Sequence, residues 1–201
     1  MILRFLPLLG ILLLIGSAFL WRPWLQYRRH GTWGVILFRT GGWGQRVRDA
    51  MLVAFVLVVL AQAVVAAARP ELMQPVVEGW LLQAAGAVLL FGGVAFVVAA
   101  QLNMGASWRI GIDEKAAPGL VTTGIFRFCR NPIYLAMITV TAGYTLLLPT
   151  ALSLILLAGT LAGMERQARD EEAWLLKTYG EEFRRYARRV GRFLPGIGRL
   201  S

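Results

Sequence analysis

The sequence predicts an all-α integral membrane protein of about five transmembrane helices, including a C-terminal helical hairpin, with an amphipathic C-terminal helix on the cytoplasmic side. Three observations predict it. Apolar residues are 57% of the 201 residues and mean hydropathy is +0.61, more than a soluble core of this size can bury, so the surplus must face lipid. These residues fall in runs of span length. The charged residues, 16% of the chain, cluster between the runs and are strongly basic, with a net charge of +10.

Residues 2–21 form the first span, an almost unbroken apolar run long enough to cross about 30 Å of hydrocarbon at about 1.5 Å per residue. It lacks a small-x-small cleavage signature before Trp21 and reads as a retained helix. Residues 22–48 mix arginine and glycine with Trp24, Tyr27, Trp33 and Trp43 and read as a basic interfacial loop with His30 in it. Spans two and three are 50–68, closed by Arg69-Pro70, and 80–100, neither with an ionisable residue. Residues 134–148 and 151–164 are short and separated by Pro149-Thr150. They read as a tight antiparallel hairpin within 132–164, in which Ala136, Gly143, Ala158, Gly159 and Gly163 permit close approach.

Lysines plus arginines number six in 22–48, one in 69–79, four in 101–131 and nine in 165–201. That alternation places the N-terminus outside and the C-terminus in the cytoplasm of a multi-pass inner-membrane protein. Arginines so placed mark topology and a lipid bilayer partner, not nucleic acid. Cys129 and His30 are the sole residues of their kinds, which excludes a disulfide framework and argues against a metal centre. Cys129 reads as a packed small residue.

The organisation that follows is an N-terminal membrane region, 1–100, and a chemical region, 101–201, made of a polar loop (101–131), the hairpin and a C-terminal helix (165–190). A plain connector needs only a few residues, so the length of the loop suggests a functional element. It ends in Arg130-Asn131-Pro132-Ile133-Tyr134. Pro132 disfavours helical geometry at Asn131 and suits the first helical position, so a helix starts here with Asn131 as N-cap. Its first N–H groups make a receptor for an anionic group, to which Arg130 adds charge.

After the hairpin, Leu176, Tyr179, Phe183, Tyr186 and Val190 follow helical spacing along one stripe. Extended backwards, the stripe passes through Glu172, Arg169 and Glu165, placing three charged groups on a packing face. They form either a structural ion-pair network or part of a polar site.

The run Leu120-Val121-Thr122-Thr123-Gly124-Ile125-Phe126-Arg127-Phe128-Cys129-Arg130-Asn131-Pro132-Ile133-Tyr134, then Glu165, Arg169-Asp170-Glu171-Glu172 and the segment 175–186, resembles the isoprenylcysteine carboxyl methyltransferase and phospholipid methyltransferase superfamily. The resemblance spans about 101–195, and an Arg-Asn-Pro stands where eukaryotic members have Arg-His-Pro. It implies S-adenosylmethionine held between loop and C-terminal helix, and a lipophilic methyl acceptor such as a prenylated cysteine, a lipid or a small apolar molecule. By position, Gly119, Leu120, Val121, Gly124, Phe126, Arg130, Asn131, Pro132 and Tyr134 are the implied cofactor contacts. Glu171 or Glu172 is the implied cofactor-binding acid, and the helical phase favours Glu172. Arg169 is the candidate for orienting an acceptor carboxylate, and Glu165 or Glu172 for a base if the acceptor is a thiol or amine. An NADPH-dependent membrane reductase, whose C-terminal architecture is similar, and a non-enzymatic membrane scaffold are the alternatives.

Overall fold

The computed structural model describes residues 2–38, 42–77, 79–110 and 119–200. Arg39 and Gly41 of the basic loop, Glu78 of the connector and residues 111–118 of the long polar loop lie outside them. Among the described residues the chain is helical without strands, and holds only two isolated bridges, Val35 with Ile110 and Cys129 with Gly191.

Three helices are long and apolar enough to cross a bilayer: Leu3–His30, Trp43–Ala68 and Trp80–Asn103, with a shorter apolar helix over Pro132–Leu147. The first comprises α1 (Leu6–Ile15), a π-helical turn (Gly16–Trp21) and α2 (Arg22–His30). The next are α3 (Trp43–Ala68), α4 (Trp80–Asn103) and α5 (Pro132–Leu147). The chain then forms α6 (Ala151–Tyr179) and α7 (Glu181–Arg189). The interfacial loop expected over 22–48 is thus helical at both ends. Arginine, leucine and glutamine favour helix, and Pro23 sits in the first turn of α2, where its missing N–H costs little.

Close approach occurs between α4 and α5, not within the hairpin. A Cβ on Gly86 would lie 2.9 Å from Leu147 N and one on Gly93 2.8 Å from Val140 Cγ2, while one on Gly143 would collide with Leu90 N. Gly159 and Gly163, expected to serve the hairpin, meet nothing within 4 Å. Small residues on two helices let backbones touch, and here the paired notches belong to α4 and α5. Tyr144, fully buried on α5, shares its one hydroxyl proton between Val59 O and Gln62 Oε1 of α3, both at 3.1 Å. Gln62 Nε2 in turn donates to Thr150 Oγ1 at 2.7 Å. Thr150 and Ser153 form the capping box that starts α6.

The second arm of the hairpin and the C-terminal helix expected from 165 are one helix, for α6 runs unbroken from Ala151 to Tyr179. The switch from apolar to charged residues at 164–165 changes the environment of the helix but is no stop signal, since glutamate, arginine, glutamine and alanine all sustain helix. The stop is Gly180, at φ 52° and ψ −122°, a conformation that favours glycine. After it α7 turns Phe183, Tyr186 and Ala187 inward, onto Leu120, Leu175, Leu176 and Tyr179.

Arg22 also departs from expectation. It is only 3% exposed. Its guanidinium donates to Gly105 O (2.8 Å), to Gln101 O (3.3 and 3.4 Å) and to Gln26 Oε1 (2.8 Å), 4.5 Å above the Trp108 ring. Gln26 Nε2 adds a bond to Ala106 O at 3.0 Å. A cation on the terminal carbonyls of α4 satisfies groups that have no intrahelical partner and favours the helix dipole. The first span thereby anchors the start of the polar loop. The basic segments gather at this end, where Ile110 N also donates to Gly34 O at 2.7 Å. At the opposite end the 69–79 connector meets the hairpin turn through Val76 N to Pro149 O, 2.7 Å.

Candidate active site

The start of α5 meets the charged half of α6 and the segment after α7. Arg130 N and Asn131 N donate to Gly191 O and Arg192 O at 3.0 and 3.1 Å, a short backbone pairing that carries the bridge at Cys129. The predicted helix start is present with Pro132 in the first turn, but the Asn131 side chain does not cap it. It donates to Glu172 Oε1 at 2.8 Å instead.

Glu172 is the hub. Arg130 Nε reaches Oε1 at 3.1 Å and its NH2 reaches Oε2 at 3.0 Å, while Arg192 Nε and NH2 reach Oε2 at 3.1 and 3.0 Å. The other Arg130 donors go to the carbonyls of Ala187 (2.8 Å), Val190 (2.6 Å) and Gly198 (2.9 Å). A guanidinium has five N–H groups, and Arg130 uses all of them inside the protein. Burial alone would raise the Glu172 pKa. The hydrogen bonds from Arg130 and Arg192 outweigh it and hold the carboxyl below its ordinary range. Arg192 is correspondingly held more firmly protonated by Glu172.

Glu171, the neighbouring acid, is differently placed. Its Oε2 accepts from the Tyr134 hydroxyl at 2.7 Å. Burial pushes its pKa up, against the hydrogen bond from Tyr134 and the field of the Arg109 guanidinium, which lies 5.9 Å over the Trp174 ring. Gly119 N donates to Tyr179 Oη at 3.1 Å, bringing the end of the polar loop to the same part of α6. Leu120 packs onto the α7 cluster, and Val121 is half-buried. Gly124 lies against Asn103, whose Oδ1 accepts from Ile125 N at 3.2 Å, and the Phe126 carbonyl accepts from Tyr186 Oη at 2.6 Å.

Arg169 is a correction. It does not lie on the packing face; 64% of its side chain is exposed, and it bonds Glu165 Oε1 at 2.7 Å within one turn of α6. Ala168 takes the fully buried position instead. Along α6, which is continuous to Tyr179, Ala168 lies about 40° from Glu172 around the helix axis and Arg169 about 60° to the other side, and the buried face turns towards Ala168. The residue that joins Glu165 to the hub is Arg192, with NH1 at 2.9 Å from Glu165 Oε1. It lies beyond the stripe among nine basic residues of 165–201, and no spacing singled it out. Nor does any local pattern point to Asn103, to the Arg109–Trp174 pair or to a polar role for Tyr186. Cys129 is buried as expected, donates to Arg192 O at 3.4 Å, and burial pushes its thiol up to about 11.

Fold and site define a helical membrane protein whose charged machinery lies at one rim of the bundle. Residues 81–182, just over half of the chain, match the profile of the phospholipid methyltransferase family, and the chain belongs to that family, within the superfamily that includes the isoprenylcysteine carboxyl methyltransferases. Membership makes it a membrane methyltransferase. The match begins near the start of α4, a helix that the sequence alone tied to no family, and ends at α7. No curated protein matches the chain.

Proposed function

We propose that the protein transfers a methyl group from S-adenosylmethionine to a lipophilic acceptor on the cytoplasmic side of the bilayer, with Glu171 and Tyr134 facing the cofactor. The observation that carries this reading is the division of labour between adjacent acids. Glu172 accepts five hydrogen bonds from Arg130, Asn131 and Arg192 and has no capacity left, whereas Glu171 accepts from Tyr134 beside a helix start that no side chain caps.

The donor set suits that cofactor. A half-buried carboxylate takes an ammonium or a ribose hydroxyl, the first-turn N–H groups of α5 take a carboxylate, and Tyr134, Trp174 and Tyr179 offer aromatic surface. S-adenosylmethionine supplies a methyl group activated by its sulfonium charge. The chain's own residues position and exclude water. Arg130, Asn131, Glu172 and Arg192 lock the start of α5 to α6, so that Glu171 and Tyr134 hold one geometry. An ionised carboxylate acceptor needs no base, and Arg169, exposed beside Glu165, is the cation such a group would meet. The resemblance makes the carboxylate of a prenylated cysteine the acceptor to test first. For a thiol or amine acceptor Glu171 is the base, because burial raises its proton affinity.

Calorimetry on detergent-purified protein tests the cofactor, with S-adenosylhomocysteine expected to bind and NADPH not. Glu171→Gln removes a charge-assisted hydrogen bond worth about 1.5–3 kcal/mol, so affinity should fall roughly tenfold to a hundredfold. Binding of NADPH alone would overturn the reading, and undiminished affinity in Glu171→Gln would overturn the site. Radiolabelled methyl donor added to native membranes then shows whether label enters protein, lipid or volatile fractions.

A further inference from the structure

The outward face of α7 carries a charged feature apart from the Glu171–Tyr134 pair. Arg185, Arg188 and Arg189, with Thr122, Glu182 and Tyr186, line an open cleft of about 610 Å³ between the 119–123 segment and α7. Among the described residues the side chains of Arg185 and Arg188 have no partner, and Arg189 donates only to Arg185 O of its own helix, at 3.3 Å. Among the described residues Glu182 is the one acid in the lining, and Glu181 beside it is taken by Arg184. Three guanidinium groups against one carboxylate leave the cleft strongly positive. The Tyr186 hydroxyl, bonded to Phe126 O, fixes its floor.

The cleft lies close to the start of an apolar helix. Gly191 and Arg192, directly after α7, pair with Arg130 and Asn131, directly before the apolar helix α5, so the basic end of α7 stands where an apolar helix emerges. The neighbours are apolar and exposed. Phe128 adjoins the bridge between Cys129 and Gly191 and is 53% exposed, and Leu194 and Ile197, whose backbones close on Gly191, are 49% and 64% exposed. Clustered arginines with exposed apolar groups close by match a lipid phosphate and its acyl border better than a free ion or a nucleic acid.

We propose that this cleft seats the phosphate of an acidic phospholipid from the adjoining leaflet, held by Arg185, Arg188 and Arg189. The site does not depend on the methyl-transfer reading. Full-length protein in nonionic detergent is titrated with dioctanoyl phosphatidylglycerol, dioctanoyl phosphatidylcholine or inorganic phosphate, and binding is followed by calorimetry. Saturable binding of phosphatidylglycerol is expected, with the other two at least about tenfold weaker. At about fivefold per arginine, R185Q/R188Q/R189Q should lower that affinity by on the order of a hundredfold, and high salt should act in the same direction. R28Q/R29Q/R46Q, which removes equal charge at other exposed arginines, should stay within about threefold of wild type. S-adenosylhomocysteine affinity should not change in R185Q/R188Q/R189Q. Equal binding of phosphatidylcholine, inorganic phosphate matching phosphatidylglycerol, or equal losses in the two triple variants would each overturn the proposal.

Discussion

Replacing Glu172 by alanine would leave the Arg130 guanidinium, with 1% of its side chain exposed, bonded to three carbonyls and without a counter-charge. Removing one partner of a buried pair costs about 3–5 kcal/mol, because the other charge remains desolvated. Arg192 adds little to that figure, since 22% of its side chain is exposed and Glu165 stays within reach. For a chain of this size each kcal/mol lowers the midpoint by about 2–4 °C, so Glu172→Ala should melt roughly 6–20 °C below wild type. The seven tryptophans report the transition in detergent at a fixed heating rate. Removing both partners with Arg130→Met and Glu172→Leu should restore most of the loss, as buried pairs often exchange for apolar ones at small cost. A Glu172→Ala midpoint within about 1 °C of wild type, or a double variant no better than the single, would refute the account of the hub.

Arg169→Ala breaks an exposed pair and should shift the midpoint by no more than about 2–3 °C, separating it from the Glu172 variants in the same melt. Because the Glu172 carboxyl is held below its ordinary value of 4.5 in the fold, its stabilisation is complete above that value and is lost as pH falls through the lower one. Midpoints measured downward from pH 5 should therefore drop in wild type, and the drop should be smaller in Glu172→Gln. Cys129, buried and with its thiol pushed up to about 11, should resist iodoacetamide at pH 8 in folded protein and react on denaturation, which mass spectrometry reads. Gly143→Ala should cost about 1–3 kcal/mol or more by overpacking against the α4 backbone, while Gly159→Ala should be neutral or mildly stabilising, as comparison of their melts will show.

Local rules carried the reading wherever the controlling neighbours are close in sequence. Pro132 after Asn131 announced a helix start, and Pro149-Thr150 announced the turn before α6, because a fixed proline φ and a short side-chain acceptor act within one turn. The rule faltered where it was carried past its range. Helical phase places Glu172 on the buried face, but a heptad-like step back to Arg169 misses it, because the neighbours of α6 cover the side on which Ala168 lies. Arg22 reads as one more interfacial arginine until α4 supplies the carbonyls that bury it.

By itself the sequence determined the helical membrane class, the separation of basic segments from the 69–79 connector, and the superfamily resemblance, since each depends on composition or on residues adjacent along the chain. Only the tertiary structure decided which of two neighbouring acids is saturated, which arginine completes the hub, and which glycines let helices touch. Those outcomes rest on contacts such as Glu172 with Arg130 and Gly143 with Leu90, between residues tens of positions apart. Such pairings depend on where whole helices pack, and periodicity along a single helix carries no information about its neighbours.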